Sequence, residues 1–336
     1  MKPTTAELIE VADLDALTDR TDALCFDHAW AGVVDLRDRC RAALERGKQL
    51  WPAAAYAEYR LALDAPAPVA ASVVDSGADR FTVGPFPEIL ASTHTFAQLG
   101  PHLARSPAAA VTAQECVVRG EDLRADPFAV ALPDVLGLPL ALQAWEPSYP
   151  LASYEQSKGL FPPPPLPVMT AVAMPLEAAR RVREPVAVEA LVDLAQMWVT
   201  ASNGRSQAAA VEGRAADAIA ALVPPAIRIA AITGAEAMAW MAWAGASGGA
   251  NGRRRGMAAG RHAAWWALAA IGGLAELEGD AATPDELGEA LADLRWFLWD
   301  DGAPAPGWAL RLAVEDAHDG LAWAVSATDV RRDNPT

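Results

Sequence analysis

The chain reads as mainly α: an irregular helical array with a small β-hairpin at the C-terminus, α+β only at that end. Three observations predict this. Apolar residues recur at helical spacing through most of the length. Proline and glycine cut those stretches into short pieces. Only the last thirty or so residues change period from about 3.6 to two.

The first helix begins at "TTAELIEVADLDAL", where Thr4 and Glu7 form a capping box. "AWAGVVDLRDRCRAALERG" ends at Gly47, and "WPAAAYAEYRLALDAP" reads as another helix, with Pro52 early and Pro66 past its end. Short helices follow through "PFPEILASTHTFAQLGP" and "SPAAAVTAQECVVRG", with no fixed-period repeat. "WEPSYPLASYEQSKGLFPPPPLP" then interrupts the array. Pro162 to Pro165 cannot lie inside a helix and favour an extended connector. The expected organisation is a helical domain over 1–145, a connector over 146–170, and a Trp- and Arg-rich helical domain over 171–330.

Helices are expected at "EPVAVEALVDLAQMWVTAS", "SQAAAVEGRAADAIAALV" and Ile227 to Ala244. In "TPDELGEALADLRWFLWDD", Thr283, Pro284 and Glu286 mark a start, and Leu287, Leu291, Leu294 and Leu298 form an apolar face. At the end, "WALRLAVED" and "LAWAVSATD" alternate around "AHDG". Trp308, Leu310, Leu312 and Val314 share one face, and Leu321, Trp323 and Val325 the matching one. A lone hairpin is marginal in water, so this one must pack on helices, pair with other strands or dimerise.

The net charge of −16 disfavours nucleic acid and anionic membranes as partners. The charge is uneven: residues 171–275 carry +3, and the following segment to the end carries −10. Cys25, Cys40 and Cys116 form neither a disulfide framework nor a zinc spacing. The N-terminus lacks the apolar core of a signal peptide. Together these point to a cytoplasmic protein with no metal and no cofactor. Abundant alanine and the excess of arginine over lysine fit a high-GC bacterial coding composition.

"GASGGANGRRRGMAAGRHAAWW" lies in the positive zone. A glycine-rich turn leading into a helix can present backbone N–H groups to an anion. Arg253, Arg254, Arg255 and Arg261 offer guanidinium donors, His262 offers an imidazole, and Trp265 offers a ring face. The structural alternative is stronger. Gly252, Gly256, Gly260 and Ala264 make a small-residue stripe, and the arginines pair with Glu276, Glu278, Asp300 and Asp301. Ser247 meets the GxSxG spacing, but a helical segment precedes it where a strand is required.

Trp240/Trp243 and Trp296/Trp299, each three residues apart, share helix faces and are candidates for an interface. The balance weighs against an enzyme. It favours binding of a protein partner or of a second copy of the chain. The alternative is a site for an anionic, partly aromatic small molecule near Arg253–Trp266.

Overall fold

The computed structural model describes residues 3–75, 82–275, 282–304 and 307–331. The chain divides into two compact units, residues 1–141 with 151–161, and residues 142–150 with 162–336.

The first unit is helical: α1 (Thr5–Val11), α2 (Leu14–Phe26), α3 (Trp30–Ala43), α4 (Trp51–Asp64), α5 (Ala67–Ala70), α6 (Phe86–Thr93), α7 (Phe96–Leu99), α8 (Pro107–Val117) and α9 (Pro127–Val130). The Thr4–Glu7 capping box forms as the sequence implies. Central α4 buries Ala53, Ala54, Ala55, Ala57 and Ala62, whose small side chains let α2, α3 and α6 approach closely. A two-stranded ribbon, β1 (Ser153–Tyr154) and β2 (Gly159–Leu160), returns to this unit. There the Tyr154 hydroxyl donates to the buried Glu88 carboxylate at 2.6 Å.

The second unit overturns the mainly-α expectation. It is built on a six-stranded antiparallel sheet of β3 (Thr170–Val172), β4 (Arg205–Glu212), β5 (Ile227–Ile232), β6 (Arg295–Asp300), β7 (Trp308–Asp316) and β8 (Leu321–Asp329). The spatial order is β3-β5-β6-β7-β8-β4. Its helices are α10 (Pro185–Asp193), α11 (Gln196–Thr200), α12 (Ala215–Ala220), α13 (Gly234–Ala246), α14 (Met257–Ile271) and α15 (Pro284–Asp293). The C-terminal hairpin forms, with Val314 opposite Trp323 and Leu312 opposite Val325. It lies inside the sheet, flanked by β6 and the edge strand β4.

The strands that sequence periodicity missed hold short runs of consecutive apolar residues, "AAAV" in β4 and "IAAI" in β5. A short apolar run of that kind cannot be told from a buried helix by its pattern. "RSQAAAVE" and "IRIAAI" are strands β4 and β5, not helix. The apolar periodicity of α15 continues past its true end at Asp293, so Leu294 and Leu298 are not on its face. Trp296 and Trp299 stand on strand β6, an odd number of positions apart, and face opposite sides of the sheet. One face carries Trp299, Ala313, Ala322 and Ala324 and packs on Ala215, Ala218 and Ile219 of α12. The other carries Trp296, Leu298, Leu312 and Trp323 toward α10 and α13.

No helix among the described residues is long and apolar enough to cross a membrane.

Candidate functional site

The arginine-rich stretch lies within the second unit. Gly256, at φ 95°, starts α14. The turn before it is pinned by Asp329, whose carboxylate accepts from the Ala250 N–H at 2.6 Å, and by Ser202, which accepts from the Asn251 N–H. Ser247 is buried, and its Oγ accepts from the Gly249 N–H at 3.0 Å at the end of α13. Arg253 and Arg255 are exposed and Arg254 is half-buried.

Arg261 points inward. Its Nε and Nη2 reach the two carboxylate oxygens of Glu146 at 2.7 and 2.6 Å, and neither side chain has any exposed surface. Trp265 Nε1 (3.0 Å), the Tyr149 hydroxyl (2.6 Å) and the Gln143 N–H (2.9 Å) donate to the same carboxylate. Burial pushes the Glu146 carboxyl up, but the Arg261, Tyr149 and Gln143 bonds outweigh it and hold the group below its ordinary value. Burial first, and then the Glu146 charge, push the Tyr149 phenol well up. His262 lies on the exposed side of α14 with the half-exposed Trp266. The proposed arginine partners Asp300 and Asp301 are taken by Arg228 and Arg311. Glu276 and Glu278 lie outside the described residues.

The tryptophans converge elsewhere. Strands β5 and β6 pair as far as Arg228–Asp300, and β7 and β8 pair from Trp308–Asp329 onward. Between them, β6 and β7 pair only from Arg295–Glu315 to Leu298–Leu312. Beyond that point the sheet opens. A cavity of about 360 Å³ occupies the opening, within the range of small-molecule pockets. Leu298, Trp299 and Asp300 form one lip, and Ala309 and Arg311 the other. Trp240 and Trp243 of α13 back it, their rings at 77°. Pro163, Leu166 and Met169, in and just after the proline run, make a further wall. Trp243 is fixed from behind by stacking on Trp308, 5.1 Å between centroids at 19°.

Two ion pairs frame the opening. Arg228 holds Asp300 at 2.6 and 2.8 Å, and Arg311 holds Asp301 at 2.8 and 3.1 Å. Arg228 pulls the Asp300 carboxyl below its ordinary value, and Arg311 does the same for Asp301. The Arg311 guanidinium also sits 5.3 Å from the centre of the Trp299 ring.

Trp240, Trp243 and Trp299 thus share one cavity, while Trp296 is buried away from its lining. Of the arginine-stretch candidates, Arg261 and Trp265 meet at Glu146. Sequence reasoning missed Glu146, Arg228 and Arg311. A signal existed for the last two: each is a lone charge inside an apolar strand, "IRIAAI" and "ALRLAV". Such a residue requires a partner across the sheet.

A larger groove of about 590 Å³ in the first unit is wide open, and its Arg60 is spent on Asp22 and Asp64. Burial lifts the Cys25 and Cys40 thiols to about 11 and pushes Cys116 further, so none supplies a thiolate at neutral pH. Among the described residues, no group of three or more His, Cys, Asp or Glu is arranged to hold a metal.

No curated protein and no solved structure matches the chain. A model of a family of unknown function (DUF6183) matches residues 15–330, and on that match the chain belongs to this family.

Proposed function

We propose that the second unit binds a small, largely apolar molecule in the cleft where β6 and β7 part. The observation that carries this reading is the convergence of Trp240, Trp243 and Trp299 on one cavity. A sheet that simply filled its core would continue the β6–β7 ladder; here the strands separate and aromatic walls face the space between them. Concave, mostly apolar sites with a few fixed polar groups are how proteins hold small molecules. The cleft's described lining is mostly apolar and aromatic, and the reading is of binding.

Native mass spectrometry of freshly purified protein tests it, with a denatured aliquot alongside. A small adduct that leaves on denaturation and is absent from the Trp240→Leu variant is the expected result. A bare chain, together with indole N–H resonances that no aromatic fragment shifts, would sink the proposal.

A second reading, association with a protein partner or another copy of the chain, draws on the apolar residues around the sheet's edge strand β3. Leu166, Val168 and Leu176 are largely exposed there. A species at twice the chain mass in the same spectrum would favour it.

A further inference from the structure

We infer that the ligand of this cleft is an uncharged planar ring system, not the anion that the arginine-rich sequence suggests. The inference rests on the cleft being a binding site. Both guanidinium groups at the cleft are already matched by a carboxylate in two-point contact, Arg228 by Asp300 and Arg311 by Asp301. The four charges cancel. Arg253 and Arg255 of the arginine-rich stretch do not line this cavity.

An ion entering such a site loses its hydration and meets no net opposite charge, a cost that only an uncompensated partner offsets. The chain's overall −16 adds a further penalty for anions. A cation fares no better, because Asp300 and Asp301 already accept from arginines on their ligand-binding oxygens. The shape favours a flat molecule. Trp240 and Trp243 meet at 77° with centroids 5.6 Å apart, a corner that takes a ring against one plane and its edge against the other. About 360 Å³ has room for one or two fused rings.

The test uses three matched probes, 2-naphthamide, 2-naphthoate and 2-naphthylmethylammonium, titrated calorimetrically at pH 7 into the full chain and into Trp240→Leu. The amide should bind roughly tenfold or more tightly than either ion, a difference in affinity that calorimetry resolves. Binding should weaken in Trp240→Leu. If that variant fails to fold, Leu166→Asp on the exposed wall replaces it. Asp301→Asn leaves Arg311 uncompensated and should shift preference toward 2-naphthoate. If either ion matches or beats the amide in the wild-type chain, and the wall variant still weakens it, the inference falls while the cleft stands. If Asp301→Asn leaves the ranking unchanged, charge cancellation is overturned as its cause. If no probe binds, or binding ignores the wall variants, both the inference and the cleft reading fall.

Discussion

Glu146 shows how much one buried carboxylate organises. Four residues donate to it, and the carboxylate is the partner that compensates Arg261 in a fully buried position. Replacing it by Gln keeps the shape but leaves the guanidinium without a counter-charge. Breaking a buried pair from one side costs about 3–5 kcal/mol, so Glu146→Gln should lower the urea midpoint sharply. Changing both partners to apolar residues of similar volume should restore much of the loss. The pH dependence follows from the lowered carboxyl. Its contribution is complete above the unfolded value, about 4.3, and is lost as pH falls through the lower folded value. Acid unfolding followed by fluorescence should therefore take up about one proton fewer in Glu146→Gln. Nothing in the sequence around Glu146 announced this role. Arg261 was legible as a residue needing a partner, but that partner lies 115 positions away.

Two elements carry the lesson at the next scale. Helices α13 and α14 touch backbone to backbone: a Cβ on Gly260 would lie 2.1 Å from the Ala242 carbonyl oxygen, and one on Gly245 2.8 Å from the Ala263 Cβ. Gly260→Ala must push the helices apart and should destabilise by about 1–3 kcal/mol, read as a lowered thermal midpoint. An unchanged midpoint would show that α14 slides freely. The small-residue spacing that suggested this contact was legible in Gly260 and Ala264. It did not extend to Gly252 and Gly256, because the helix begins only at Met257. Strand β6 is the opposite case. The Thr283 capping box was readable, and α15 starts there. Its end was not, because Leu294 and Leu298 keep the helical interval while the chain has already turned to strand.

For the whole molecule, charge is the property with the clearest consequence. At −16 the chain repels itself, and screening shortens the reach of that repulsion to about 10 Å at 0.1 M salt. Raising sodium chloride from low ionic strength to about 0.15 M should raise the thermal midpoint by a few degrees. A fall would mean that attractive pairs such as Arg228–Asp300 outweigh the net repulsion. The sequence by itself determined the helical starts at Thr4 and Thr283, the terminal hairpin, the proline interruption and the acidic balance. Each depends on residues close together in the chain, through caps, turn chemistry, period or a sum of charges. Only the tertiary structure decided that the hairpin lies inside a six-stranded sheet, that Glu146 compensates Arg261, and that three tryptophans share a cleft. Those facts depend on which distant segments pair and where the pairing of β6 with β7 stops. Short apolar runs such as "AAAV" in β4 and "IAAI" in β5 leave no periodic trace from which either can be read.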